Sequence, residues 1–366
     1  MQRRTFLFAA LAAPLGGCAI LGRQARCDAV VTNTAGGAGG VPAFPTIAAA
    51  LAAAPEHATK PFRILVTKGR WRERVVITKP FIRLIGEGRD ESVIVFNRSA
   101  GEKAPDGAPL GTFGTATVVV RATDFGASQL SIANDFDYVG HMPKPAPDDK
   151  TGPSGAQAVA LAIQDEADRA FLEDVHITGY QDTLFTDAGR SLFRRCKVEG
   201  CVDFIFGAGR AVFEDCEIVS RLRPGQDFNG YIAAPDTNRR QPFGMVFIGC
   251  RLTKEAGVAP HSVALGRPWR RTGTFPDGRY GDPDAVGAAA FLRCWMGDHI
   301  VADGWYPMGY NPKGGGRAMM QPEEARFHEF ESAGPGAGVA SPRRRQLTPD
   351  QARAFARSNV LDGWSP

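Results

Sequence analysis

The sequence predicts an all-β chain wound into a solenoid, and three observations predict it. The apolar residues arrive in short runs of four to seven between Gly, Asp and Asn, with 43 Gly and 26 Pro in 366 residues, a pattern of strands and turns. One strand unit recurs. Leu172-Glu173-Asp174-Val175-His176-Ile177 aligns with Phe193-Arg194-Arg195-Cys196-Lys197-Val198, and then with the units starting at Phe213, Phe247 and Phe291, at offsets of 21, 20, 34 and 44 residues. A period of roughly 20 to 25 residues marks coils that stack and bury a continuous core. The third observation is an acid out of place: Asp203 lies in the apolar stretch Cys201-Val202-Asp203-Phe204-Ile205-Phe206, and Asp182 stands 21 residues earlier, one coil away.

The chain starts with an export signal rather than fold. Gln2-Arg3-Arg4-Thr5-Phe6-Leu7 leads into the apolar run Phe8 to Leu15 and then Gly16-Gly17-Cys18, a charged start and a short apolar core before small residues. It is too short to span a bilayer as a helix. The paired arginines resemble a twin-arginine signal. Leu15-Gly16-Gly17-Cys18 resembles a bacterial lipobox, which would leave Cys18 as a lipidated N-terminus and the only link to a membrane; an ordinary signal peptide with a chance cysteine is the alternative. Ala19 after that Cys points to outer-membrane retention. Loss of Arg3 and Arg4 takes the formal charge from +4 to +2. Residues 1–27 are thus signal and linker, and 28–366 are expected to form a single domain.

A net charge of +4 and a pI of about 8.7 are too mild to argue for nucleic acid, and no basic-aromatic stripe appears. The Arg343-Arg344-Arg345 run reads as a solvated surface turn. The glycines from Gly36 to Gly40 form a loop and not a phosphate cradle, because no Lys-Ser/Thr follows.

Thr46 can cap a helix over Ile47 to Ala54, closed by Pro55. Four strands follow at Ile64 to Val66, Val75 to Ile77, Ile82 to Ile85 and Val93 to Phe96. In the repeating part, the two long offsets mean inserted loops, over Arg221 to Asn238 and Thr253 to Val286, of the kind that builds a cleft on a rigid scaffold. Cys196, Cys216, Cys250 and Cys294 hold one inward position, where core filling is the default; Cys196 and Cys216, on adjacent coils, are close enough for a disulfide, which an exported compartment permits. Cys201 has no assigned role. The chain closes with Thr348-Pro349-Asp350-Gln351, a capping box with proline at the first helical position, opening a helix to about Asn359.

Stacked coils put Asp182 and Asp203 on one face. Gln157 lies 25 residues before Asp182, about one coil, and Leu265-Gly266-Arg267-Pro268-Trp269 supplies a cation and an indole. Two close carboxylates repel, so one keeps its proton while the other, beside Arg267, stays ionised. An ionised Asp203 is a nucleophile, a protonated Asp182 is an acid, and the amide N–H groups of Gln181 and Gln157 can hold an oxyanion. The alternative is a polar ladder of Asp and Gln bonded along the coils.

Five motifs, Gly69-Arg70-Trp71-Arg72-Glu73, Gly155 to Leu161 around QAVAL, GYQDTL at Gly179 to Leu184, GCVDFIFG at Gly200 to Gly207 and LGRPW at Leu265 to Trp269, stand in an order and spacing that resembles the pectin methylesterases. These are carbohydrate esterases with a right-handed parallel β-helix, and the likeness spans roughly Asp28 to Pro366. It implies a β-helix with short capping helices at both ends. It also implies that Asp203 attacks the C6 methyl ester of galacturonate while Asp182 protonates departing methanol and then takes a proton from water. Gln181, helped by Gln157, matches the oxyanion position, and Arg267 the residue that orients the nucleophile. Trp269, Phe206 and Tyr231 match aromatic positions along the sugar cleft, and Thr112 and Arg223 match sugar contacts. The implied partner is methyl-esterified homogalacturonan, acted on by a monomer; no cofactor or metal is called for. One departure is Trp71, where the family usually carries Tyr, a packing position. Insertions near Asp137 to Pro153 and Pro276 to Asp284 would reshape the cleft.

Other hydrolases fit less well. The motif set of a polygalacturonase is absent, and Asp148-Asp149 lies in a Pro-rich loop. No Gly-x-Ser-x-Gly occurs, and none of the six histidines forms an HExxH. A thioesterase or other small-ester hydrolase on the same scaffold, and a silent glycan-binding protein, remain as readings from neighbouring classes; the second has no need of stacked acids.

Overall fold

A computed structural model of the chain describes residues 27–33, 40–142 and 155–366. The export signal with Cys18, most of the early glycine loop and Asp148-Asp149 lie outside the described residues. Among those described, three long parallel sheets of eleven, eight and seven strands run side by side, and each central coil gives one strand to each sheet in turn. This is the right-handed parallel β-helix.

The repeat read in the sequence is the hydrogen-bonded register. Leu172 pairs with Phe193, and then come Phe213, Phe247 and Phe291 in the eleven-stranded sheet. Ile177 heads the matching row of Val198, Ile218, Leu252 and Met296 in the eight-stranded sheet. Between the two rows the chain turns a corner, and the third residue of every copy makes it: Asp174, Arg195, Asp215, Gly249 and Arg293 all have φ between 51° and 64°. Asp and Gly enter that left-handed region cheaply, whereas for Arg it costs about 1–2 kcal/mol. Arg195 recovers part of this through a forked bond to Asp174 on the coil before, at 3.1 Å for both nitrogens.

Inside, Phe193, Phe213, Phe247 and Phe291 stack with ring centroids 4.7, 4.6 and 4.3 Å apart, close to the ~4.8 Å spacing that the backbone ladder imposes on successive coils. The cysteine ladder beside them is made of free, buried thiols, so the Cys196–Cys216 disulfide is not formed. Each sulfhydryl is directed at a backbone carbonyl of the coil before it: Cys196 at Leu172, Cys216 at Phe193, Cys250 at Phe213 and Cys294 at Phe247, at 3.3 to 3.6 Å. The repeating geometry gives every sulfur a backbone acceptor, and none needs its neighbour.

Three further expectations are corrected. The spans assigned to inserted loops also hold strands of the seven-stranded sheet, Gly230–Pro235 and Val263–Gly266, because the repeat unit covered only two of the three strands in a coil. The C-terminal helix is two short ones, Pro349–Ala354 behind its capping box and Arg357–Val360; the backbone turns extended at Ala356 (ψ 140°), and Val360 and Leu361 then pack on the outside of the eleven-stranded sheet. Arg344 is no surface residue: it is 1 % exposed and forks onto an equally buried Glu329 at 2.8 and 2.6 Å. At the N-terminal end the helix capped by Thr46 runs Ile47–Ala53.

Unfolding without reductant followed by alkylation should label both Cys196 and Cys216, as read by peptide mass. A linked pair that labels only after reduction would restore the disulfide.

Candidate active site

The seven-stranded sheet carries the polar cluster. Leu161, Leu184, Ile205, Ala233 and Gly266 form one row across five coils, with Leu184 and Ile205 fully buried. Asp182 and Asp203 each stand two residues ahead of this row, at the corner where the coil enters the sheet. Both have positive φ, 59° and 48°, a conformation that a short polar side chain tolerates. The corner is tight: a Cβ on Gly200 would sit 2.2 Å from that of Phe204, so the glycine that opens the motif is a steric requirement.

Arg267 follows the strand Val263–Gly266 directly and reaches back to Asp203, with Nε donating to Oδ1 at 2.8 Å and an η nitrogen donating to Oδ2 at 2.5 Å. Asp203 is 7 % and Arg267 6 % exposed. Both carboxylate oxygens therefore accept from one planar fork, the strongest geometry open to an ion pair. The guanidinium rests on the Tyr231 ring, 3.9 Å from its centroid. Asp182 has no such fork. Burial first, and then the neighbouring charge of Asp203, push its carboxyl well above the ordinary carboxylate range, against a smaller opposing pull from Arg267. Two like groups on adjacent coils thus meet different surroundings, one forked by a guanidinium and one desolvated beside a negative charge.

Above them opens a cleft of about 330 Å³. Gln157, Gln181, Asp182, Asp203 and Arg267 converge on it, with Phe206 and Trp269 on one flank and Thr112 at the rim. Gln181 is 4 % exposed, and its side-chain oxygen is buried without a partner.

A protein-family model described as Pectinesterase matches residues 28–363. The chain belongs to the pectinesterase family. Pectinesterase A of Dickeya chrysanthemi is 43 % identical over 327 residues, 88 % of each chain. Among solved structures, pectin methylesterase PemA from Erwinia chrysanthemi superposes with a TM-score of 0.86 at 42 % identity, over 93 % of this chain and 98 % of that one. A crystal structure of pectin methylesterase in complex with hexasaccharide VII gives 0.87 at 42 % identity with the same coverage. The chain is thus an esterase of the β-helix type.

Within this pectinesterase, two expected sugar contacts lie elsewhere. Tyr231 is 1 % exposed and sits beneath the Arg267 guanidinium rather than on the cleft wall. Arg223 is also 1 % exposed, in the interior beside Phe228 and Asn229, and lines no part of the cleft. Three cleft residues were not foreseen: Phe113, Ala234 and Met308. Ala234 pairs with Phe206, which pairs with Phe185, so extending the repeat into the third strand would have found it. Phe113 and Met308 come from non-repeating segments, the 3-10 turn Thr112–Gly114 and the strand Met308–Tyr310, where no periodicity speaks.

Arg267→Lys keeps the charge but loses the fork. It should lower kcat on a methyl-ester substrate by about 10²-fold, the usual scale for removing one preorganised electrostatic contact, with KM nearly unchanged. Unaltered kcat would show that the fork is structural only.

Proposed function

We propose that this pectinesterase removes methyl esters from galacturonate units of pectin through Asp203, and the observation that carries this is the Arg267 fork on Asp203 next to Asp182, whose carboxyl burial and the Asp203 charge push well above the ordinary range. An Asp203 oxygen attacks the ester carbonyl carbon. The electron pair moves onto the carbonyl oxygen, where the side-chain N–H donors of Gln181 and Gln157 receive it. Collapse expels the methoxy group, which takes the proton of Asp182 and leaves as methanol. Asp203 is left as an acyl-enzyme anhydride. Water then attacks the galacturonyl carbonyl and gives a proton to Asp182, and Asp203 departs as a carboxylate. Asp182 is a proton donor in the first half and an acceptor in the second, which its raised pKa suits. Trp269 and Phe206 offer apolar faces to the sugar, and Thr112 a hydroxyl at the rim. The solved relative named with a hexasaccharide supports a polysaccharide as substrate.

Outside the described residues, the lipobox-like Leu15 to Cys18 and the paired Arg3 and Arg4 support a twin-arginine-exported outer-membrane lipoprotein, with residues 28–366 as one monomeric catalytic domain.

The signal-free protein should release methanol from highly methylated pectin, and Asp203→Asn should abolish release; it leaves the buried Arg267 without its counter-charge, so the melting temperature should fall as well, and the loss of activity is read at a temperature where circular dichroism shows the variant folded. Activity should fall on the alkaline side as Asp182 loses its proton, and the residual activity of Asp182→Asn should lack that limb. Methanol release that survives Asp203→Asn would reject the mechanism, and wild-type activity on acyl thioesters alone would reject the substrate. In a separate test, Cys18→Ser should move the full-length protein out of the membrane fraction; unchanged partitioning would reject the anchor.

A further inference from the structure

Behind the aromatic flank of the cleft lies a charged cluster that the reaction does not use. Arg271 donates from Nε to Asp236 at 2.8 Å and from an η nitrogen to Asp187 at 3.1 Å, with a further short bond to Asp187. Asp187 follows the strand Leu184–Thr186, on the same coil as Asp182, and Asp236 follows Gly230–Pro235. One guanidinium thus clips together two coils that flank the Asp203 coil. The same guanidinium faces three rings, with its central carbon 4.8 Å from the centroid of Trp269, 5.5 Å from that of Phe185 and 5.6 Å from that of Phe113. Phe185 is buried in the sheet face. Phe113 and Trp269 line the cleft from opposite segments of the chain, a short turn and the stretch after the last strand of the sheet.

The two cleft rings are only partly packed: Trp269 lies half-buried on the apolar cluster around Phe206, and Phe113 is more open still. Phe113 is 47 % exposed and rests on Phe185, with centroids 5.0 Å apart; Trp269 touches Phe206 at 5.9 Å. Neither ring is held by a packed core on both faces. A planar cation is suited to this place because it can stack on aromatic faces while its edge is fixed by carboxylates, which lysine cannot do. Two carboxylates are needed because each grips a different edge of the fork. Asp236 is the buried one of the pair, and burial, opposed by Arg271, lifts its carboxyl to about 6, so the cluster is held together against a desolvation cost. That is an expensive way to stabilise a surface and a reasonable way to hold one in shape.

We infer that Arg271 is a positioning residue that sets the separation of Phe113 and Trp269, and through them the affinity of the cleft for its polysaccharide. This rests on the reading of the cleft as a pectin site. The guanidinium touches no reacting atom, so its effect falls on binding and not on the ester chemistry.

The test is Arg271→Lys, with Asp187→Asn as a second variant that loosens the same clip from its more exposed side. Both should raise KM for methylated pectin, Arg271→Lys about five- to tenfold, the scale of one or two lost cation–π contacts, with kcat within about twofold of wild type. Acrylamide quenching of tryptophan fluorescence gives a readout independent of substrate: Arg271→Lys should increase quenching in the native background and leave it unchanged when Trp269→Phe is already present. Unchanged KM, or a fall in kcat at constant KM, would overturn the inference, as would quenching that rises equally in both backgrounds. If the wild type itself failed to act on pectin while the Trp269-dependent quenching change appeared, the substrate assignment would fall and the positioning role would stand.

Discussion

The fork between Arg267 and Asp203 is the interaction on which this site turns. Both partners are nearly inaccessible, and a buried ion pair of this kind recovers its desolvation cost only if its geometry is close to ideal. Here it is, with both carboxylate oxygens engaged and an aromatic ring supporting the guanidinium from below. The pair leaves Asp203 an anion facing the cleft. Asp182, one coil away, has no such fork, and burial first and the Asp203 charge second push its carboxyl well above the ordinary range. Two chemically identical side chains on adjacent coils thus meet different surroundings, one gripped by a guanidinium and one desolvated beside a negative charge, the asymmetry on which the proposed division into nucleophile and acid rests.

The solenoid makes this possible at low cost. Parallel coils repeat every backbone position at a fixed height, so one Asp placed at the same corner of two coils becomes a pair. The left-handed corners that carry Asp182 and Asp203 point short polar side chains out of the wall while Leu184 and Ile205 fill it. Phenylalanine and cysteine ladders in the other parts of the coil supply rigidity, and rigidity matters because neither acid is on a mobile loop. The scaffold holds the acids and Arg267; irregular segments then add the walls that meet the substrate.

That division explains what could be read from the sequence. The repeat gave the register of five successive coils to the residue, from Leu172 through Phe291, and with it the stacking of Asp182 and Asp203. Arg267 and Phe206 were found through the motifs that carry the family resemblance. What stayed hidden falls outside the period. The template stopped at two strands of three, so Gly230–Pro235 was taken for loop and Ala234 was missed. Tyr231 was expected in the cleft from its match to the family's aromatic positions, but it is buried under the Arg267 guanidinium. Arg344 looked like part of a surface run because its partner Glu329 is 15 residues away, on the strand Arg326–Phe330, a pairing no local pattern records. Cys196 and Cys216 were judged by proximity alone, whereas the ladder offers each thiol a carbonyl.

The central claim is that the two stacked acids differ in protonation. Carbon-13 NMR of the carboxyl groups in aspartate-labelled protein, assigned through Asp182→Asn and Asp203→Asn, measures this directly near neutral pH. The account predicts that Asp182 resonates as the protonated acid and Asp203 as the carboxylate, and that Arg267→Lys narrows the difference. Two ordinary carboxylates titrating together, or the proton on Asp203, would contradict it.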